Sequence, residues 1–386
     1  MNTYNRLPLA FSKGEGIWLE DTEGKRYLDA LSGIAVCGLG HCHPAVSKAI
    51  CEQSQTLVHT SNIYQIPLQE QLADRLAKLS GMDRIFFANS GAEANEAALK
   101  LARLYGHKRG IDTPSVLVCE GSFHGRTMAT LSATANRKVQ AGFEPLLRGF
   151  SRIPYNDIEA VRNAASNDAN VVAILVEPVQ GEGGINIPDA DYLNELRTIC
   201  DENNWLLMLD EIQTGMGRTG KLFAHQHNGI VPDVMTLAKA LGNGMPIGAC
   251  LVSGKASEVL GPGNHGSTFG GNPLACSAAM AVLDVIENEN LIEHTADNGK
   301  FLAKLLAEGL AGKDGVKEIR QYGMMIGIEF EEPCGELVMK SADAGLLINV
   351  TAEHVLRLLP PLTCTTDDIR EISTRLLPLV NEFLSS

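Results

Sequence analysis

Lys239 directly follows the apolar run 234–238 and precedes Ala240-Leu-Gly-Asn-Gly244. An unpaired ammonium at the end of a buried strand is costly, and burial depresses a lysine pKa toward the nucleophilic free amine. Asp210 stands 29 residues earlier, at the end of a second apolar run, 205–209. Ser90, Gly91 and Ala92 follow a third run, 85–88, and open a helical pattern. Free N–H groups and the positive dipole end of a helix favour an anion there. A nucleophilic amine, a fixed negative charge and an anion cradle together suit pyridoxal phosphate. Lys239 would bond its aldehyde carbon, and Asp210 would pair its pyridinium nitrogen so that the ring can draw electrons. Taken singly, each residue reads as well as a cap or a surface charge, and Ser-Gly before a helix as an ordinary N-cap. Their joint occurrence is what favours the cofactor.

Short apolar runs at 85–88, 115–119, 171–176, 205–209 and 234–238 alternate with helical periodicity from Gln69 onward. Runs of that length predict parallel strands, buried on both faces, in an α/β sheet whose carboxyl ends carry the chemistry. The helix after Ser90 repeats Ala94, Ala97, Ala98, Leu101 and Leu104 along one face. Residues 16–20 and 25–29 flank Asp21-Thr-Glu-Gly24 and predict two strands joined by a turn. After about residue 290 a helix, strands at 324–330 and 346–350, and a last amphipathic helix along Ile369, Ile372, Leu376, Val380 and Phe383 predict a smaller α+β segment.

The chain has 386 residues, which at about 150 per domain predicts one large domain with an appendage, or two domains. Its net charge of −14 argues against general nucleic-acid or anionic-membrane binding. An acidic substrate would then need locally placed arginines. No apolar stretch approaches the roughly 18–20 residues of a membrane span, and residues 1–10 show no secretory pattern. Nine scattered cysteines, none in a CxxC, predict reduced thiols in a cytoplasmic protein.

Gly215-Met-Gly-Arg-Thr-Gly220 matches GxGxxG, the fingerprint of a dinucleotide-binding oxidoreductase, but 221–230 lacks the helical stripe that must follow. A glycine-rich active-site loop fits better. His41-Cys-His43 and His225-Gln-His227 lack the context of metal motifs, so no metal is expected. Neither GxSxG nor a Walker motif occurs, which removes support for hydrolases and nucleotidases.

The chain resembles the class III, or subgroup II, pyridoxal-phosphate aminotransferases over nearly its whole length. The resemblance lies in Gly40-His-Cys-His-Pro44, Asn89-Ser-Gly-Ala-Glu-Ala-Asn-Glu96, Gly121-Ser-Phe-His-Gly-Arg126, Glu177-Pro-Val-Gln-Gly-Glu182, Leu209-Asp-Glu-Ile-Gln-Thr-Gly-Met-Gly-Arg-Thr-Gly220 and Gly266-Ser-Thr-Phe-Gly-Gly-Asn-Pro273. It implies fold type I: a large domain, 46–289, with a mostly parallel seven-stranded-type sheet flanked by helices. A smaller α+β domain would combine 1–45 with 290–386, and the active sites would lie at a homodimer interface.

By matching motif positions, Lys239 would carry the cofactor and Asp210 would contact the ring nitrogen. Gln213 would approach the ring hydroxyl, and Phe123 would stack on the ring. Ser90, Gly91 and Ala92 would bind the phosphate, and Thr268 would reach the phosphate of the neighbouring subunit. Arg126, with Ser267 of the other subunit nearby, would hold the α-carboxylate of the amine donor. Arg357 would hold that of glutamate or 2-oxoglutarate, and Glu182 would pair with Arg357 while the donor is bound. The implied activity is transfer of the δ-amino group of N2-acetyl-L-ornithine to 2-oxoglutarate. Succinyldiaminopimelate, succinylornithine, ornithine and 4-aminobutyrate are rival donors. An aminomutase or lyase on the same fold, or a binding protein that kept the shape, are the readings from other classes.

Overall fold

The computed structural model describes residues 1–385; Ser386, the last residue of the expected smaller domain, lies outside them. Strands β1 (Phe11–Glu15), β2 (Trp18–Asp21) and β3 (Arg26–Asp29) form an antiparallel meander near the start of the chain. Strands β4 (Arg84–Ala88), β5 (Ser115–Cys119), β6 (Phe150–Ile153), β7 (Val171–Val176), β8 (Leu206–Asp210), β9 (Val234–Leu237) and β10 (Gly248–Val252) make one seven-stranded sheet. Its order is β4-β10-β9-β8-β7-β5-β6, and only β10 runs antiparallel to its neighbours. The all-buried run of β7 lies between β8 and β5 and is covered on both faces, as its unbroken Val/Ile/Leu composition requires.

The Gly91–Lys108 helix packs a small-residue face, Ala94, Ala97, Ala98 and Ala102, closely against this sheet. Ser90 caps it, its Oγ accepting from the Glu93 N–H at 3.2 Å. Asn95 is buried on that otherwise apolar face.

Strand β8 ends one residue later than the apolar run suggests, because Asp210 takes its last ladder position opposite Thr236 of β9. Side chains alternate along a strand, so Asp210 shares a face with Leu206 and Met208. Those two pack in the cluster under the Gly91–Lys108 helix, so Asp210 is aimed at Asn95.

The C-terminal part adds β11 (Val316–Tyr322), β12 (Met325–Phe330), β13 (Leu346–Leu347), β14 (Asn349–Thr351) and β15 (Val355–Leu358). β11-β12-β15-β14 form an antiparallel sheet, whereas β13 pairs in parallel with β3. The single strand expected at 346–350 is therefore two, and the chain changes sheets at the buried Ile348. The closing helix, Thr366–Phe383, begins with a Thr365–Asp368 capping box and buries Ile369, Ile372, Leu376 and Val380. Its Phe383 meets Phe330 edge-on at 5.4 Å.

Ser32, Gly33, Ile34 and Ala35 follow one another with φ of 47°, 65°, 62° and 60°, a left-handed turn that L-residues resist. Asp29 props it, its Oδ1 accepting from the N–H groups of Leu31 and Ser32 at 2.9 Å each. Ser32 Oγ donates to Leu359 O at 2.7 Å. The next residue, Val36, lines an apolar-walled cavity.

Candidate active site

The cavity, about 470 Å³, opens where the carboxyl ends of β5, β7, β8 and β9 meet the Gly91–Lys108 helix. Its walls include Ser90, Phe123, Arg126, Glu182, Asp210 and Lys239. Gly91, Ala92 and Gln213 face it as well. Nine of the twelve site residues expected from sequence thus converge, and a tenth, Arg357, reaches it through Glu182.

Lys239 opens the short 3₁₀ turn Lys239–Leu241 with a positive φ of 46°, an uncommon conformation for a residue with a Cβ. Loss of water pulls its ammonium pKa below the usual lysine range, opposed by Glu182 and reinforced by Arg357. Asp210 is 4% exposed and bonded at both oxygens. Its Oδ2 accepts from Asn95 Nδ2 at 2.8 Å and faces His124 Nδ1 at 2.7 Å, and its Oδ1 accepts from the Ile212 N–H at 3.1 Å. Thr236 Oγ1 donates to Asn95 Oδ1 at 2.8 Å, which fixes the amide so that its NH₂ faces the carboxylate. Burial opposes a charge on His124, yet the Asp210 hydrogen bond prevails and raises its pKa. Asp210 is thereby held in place by hydrogen-bond partners from the Gly91–Lys108 helix, the 121–126 loop and its own turn.

Two guanidiniums frame the cavity. Arg126 is exposed, lies over the Phe123 ring at 5.7 Å, and has no ion-pair partner among the described residues. Arg357, at the centre of β15, is fully buried. Its Nη1 donates to Glu182 Oε1 at 2.7 Å and its Nε to Asn349 Oδ1 at 3.1 Å, while Nη2 has no partner. A reading of Arg357 as a surface charge is thus excluded. Gln213, also buried, has an unpartnered Oε1.

Ser267 and Thr268 do not line the cavity of their own chain. Ser267 Oγ accepts from Asn89 Nδ2 at 3.2 Å and from the Gly270 N–H at 2.9 Å, and Thr268 is exposed beside it. Sequence reasoning did not assign Asn95, His124, Thr236 or Glu177. A polar Asn95 on an alanine-rich helix face was the available signal. Glu177 lines the cavity, and its Oε2 accepts from the Phe123 N–H at 3.1 Å.

The GxGxxG stretch is a loop followed only by the 3₁₀ turn Ala224–His227, so it lacks the dinucleotide fingerprint's helix, but residues 215–220 do not line the cavity. The paired histidines have other tasks: His41 Nε2 lies 2.7 Å from Asp29 Oδ2 and His225 Nδ1 3.0 Å from Glu211 Oε1. Among the described residues no group of three or more His, Cys, Asp or Glu could hold a metal ion.

The cleft thus gathers a lysine of lowered basicity, a carboxylate beneath a helix, a capped helix N-terminus and an exposed arginine, with a second arginine behind Glu182. The chain belongs to the class III aminotransferases, whose family model matches residues 1–379. It is 60% identical over 386 residues to the acetylornithine aminotransferase of Nitrosomonas europaea, covering 100% of this chain and 98% of that one. It is 48% identical to that of Methanocaldococcus jannaschii, over 96% and 92% of the two chains. Among solved structures, the acetylornithine aminotransferase of Elizabethkingia anophelis superposes with a TM-score of 0.89 at 35% identity, over 99% and 96% of the chains. The ornithine aminotransferase of Toxoplasma gondii gives 0.96 at 37% identity, over 99% and 92%.

Proposed function

We propose that the protein transfers the δ-amino group of N2-acetyl-L-ornithine to 2-oxoglutarate, giving N-acetyl-L-glutamate 5-semialdehyde and L-glutamate. It does so with pyridoxal 5′-phosphate held in the 470 Å³ cavity. The carrying observation is the unequal state of the two arginines: Arg126 is free, and Arg357 is paired with Glu182. One exposed guanidinium suits a donor with one free carboxylate, and a second, unmasked when Glu182 moves, suits a dicarboxylic acceptor.

The residues fit the cofactor. Asp210, fixed by Asn95, would face its ring nitrogen, and the unpartnered Gln213 Oε1 would take its ring hydroxyl. The N-terminal N–H groups at Ser90, Gly91 and Ala92 would take the phosphate, and Phe123 would cover the ring face. When bound, the cofactor supplies an electron sink and an aldehyde that accepts the amino group. Lys239, whose lowered basicity leaves it able to accept and return a proton, moves that proton at the substrate carbon bearing nitrogen. Arg126 fixes the donor's α-carboxylate, and so sets which carbon Lys239 meets. Glu182 covers Arg357 until the acceptor's carboxylate replaces it.

The same reading makes the active unit a homodimer in which Thr268 and Ser267 serve the neighbouring subunit. It divides the chain into 46–289 and 1–45 with 290–386. Nine unpaired cysteines, six of them buried, support a cytoplasmic enzyme.

The test is to add N2-acetyl-L-ornithine to the purified holoenzyme without 2-oxoglutarate. Loss of the visible absorption with stoichiometric semialdehyde, reversed by 2-oxoglutarate, is expected. A spectrum indifferent to acetylornithine but responsive to succinyldiaminopimelate or ornithine would replace the substrate. Lys239→Ala should bind the cofactor without turnover, and substantial transamination by it would refute the role of Lys239.

A further inference from the structure

Two carboxylates hold the segment 123–129, which carries Phe123 and Arg126. Glu177 takes the Phe123 N–H from the cavity side. Glu96, on the Gly91–Lys108 helix, takes the other end. Its Oε1 accepts from Thr127 Oγ1 at 2.5 Å and from the Ala129 N–H at 3.2 Å. Glu96 does not line the cavity, so it is no contact of substrate or cofactor.

What it grips is the chain next to Arg126. Thr127 precedes the Met128–Ala133 helix, and its own N–H reaches Thr130 Oγ1 at 3.0 Å. On the other side Gly125 has a φ of 135°, and a Cβ there would stand 2.6 Å from that same Thr130 oxygen. The main chain flanking Arg126 is therefore packed and bonded on both sides, while the guanidinium is free of any ion pair among the described residues. A long cation recruits a carboxylate best when its anchoring backbone is already ordered, because binding then orders the side chain alone.

We infer that Glu96 is a positioning residue for Arg126: through Thr127 and Ala129 it fixes the backbone from which the guanidinium meets the donor's carboxylate. The inference rests on the reading of Arg126 as that anchor. The role belongs to the two accepted hydrogen bonds rather than to the charge, since a negative charge beside the anchor would by itself repel an incoming carboxylate. An amide oxygen can accept both bonds, so Glu96→Gln should preserve the function that Glu96→Ala removes.

The experiment measures kcat/KM of the holoenzyme for N2-acetyl-L-ornithine and for N-acetyl-1,4-diaminobutane, the same amine without its carboxylate. The variants are Glu96→Ala, Glu96→Gln, Arg126→Ala and the double alanine variant. Glu96→Ala should lower kcat/KM for acetylornithine roughly tenfold and leave the carboxylate-free donor within about twofold. Glu96→Gln should stay near wild type. The double variant should be no worse than Arg126→Ala, because Glu96 has nothing left to position. Equal losses on both donors, losses that multiply in the double variant, a Gln variant as poor as Ala, or no loss at all would each overturn the assignment. If Arg126→Ala itself treats the two donors alike, the anchor reading fails and the inference falls with it. If only Arg126→Ala discriminates, the anchor stands and Glu96 does not position it.

Discussion

Arg357 shows what a single buried residue can be asked to do. A guanidinium with no exposure is tolerable only while its charge is met, and Glu182 meets it at 2.7 Å. Arg357→Ala should therefore lower kcat/KM for 2-oxoglutarate by about 100-fold, the scale of a lost buried charge contact, and harm the acetylornithine half-reaction much less. Equal losses, measured by single-turnover spectroscopy of each half-reaction, would remove the case for separate anchors. Glu177 is the second residue with a sharp consequence. Burial pushes its carboxyl from 4.5 up to about 7, although His124 and the Phe123 N–H favour the anion. A folded pKa above the unfolded one means that stability is full below pH 4.5 and is lost as the pH rises through about 7. Glu177→Gln keeps an acceptor for Phe123 and cannot ionise. Its melting temperature should gain on wild type as the pH rises over that window, by on the order of 2–3 kcal/mol in stability without cofactor. A difference that stays flat with pH would place the ionisation elsewhere. Lys239 and Asp210 were legible in the sequence because each is a polar residue ending an apolar run. Asn95 and His124 were not, because each acts on Asp210 from another element, and single-residue chemistry carries no record of its partner.

At the scale of elements, the strands that position the site were readable where burial on both faces leaves an unbroken apolar run, as in β5 and β7. β10 was not read. It is the antiparallel member, begins at Gly248, and its position is set by contact rather than composition. A Cβ at Gly248 would stand 2.3 Å from Ser90 O, part of the main chain that caps the Gly91–Lys108 helix. Gly248→Ala should thus cost about 1–3 kcal/mol of stability and weaken cofactor retention together, since the helix N-terminus must shift to make room. Melting curves and a cofactor titration check this, and a variant that melts and binds like wild type would mean the loop yields freely. The β14–β15 hairpin escaped notice for a different reason. Its connection places Ala352 and Glu353 at φ of 49° and 64°, positions where sequence rules look for glycine or asparagine.

For the whole molecule, the loop carrying Ile63 and Tyr64 adjoins the loop carrying Thr268 and Phe269. Asn62 Nδ2 donates to Ser267 O and Gly270 O at 3.0 Å each, and His59 meets the Phe269 ring at 5.3 Å. Ile63, Tyr64 and Phe269 are 80%, 64% and 60% exposed, an apolar surface beside Thr268, which lies outside the cavity of its own chain. On the homodimer reading proposed above, replacing Ile63 and Phe269 with aspartate should give a monomer by light scattering that loses cofactor on gel filtration. A double variant still dimeric and cofactor-replete would move the interface elsewhere. No composition argument could single out this surface, because an exposed Ile reads like any core Ile until its neighbours are known.

The parallel pairing of β3 with β13 sets Leu28 opposite Leu346, and one hydrophobic cluster joins Ile17 and Leu28 to Ile369 and Leu376. During synthesis the first strands must therefore wait for a partner about 320 residues downstream, which at ribosomal speeds takes on the order of 15–60 s. Through that interval β3 lacks its parallel partner, and the cluster around Ile17 and Leu28 lacks its C-terminal members. Removing the last 45 or so residues, β13 and the closing helix included, should leave the amino-terminal segment, rather than the seven-stranded sheet, as the part that aggregates.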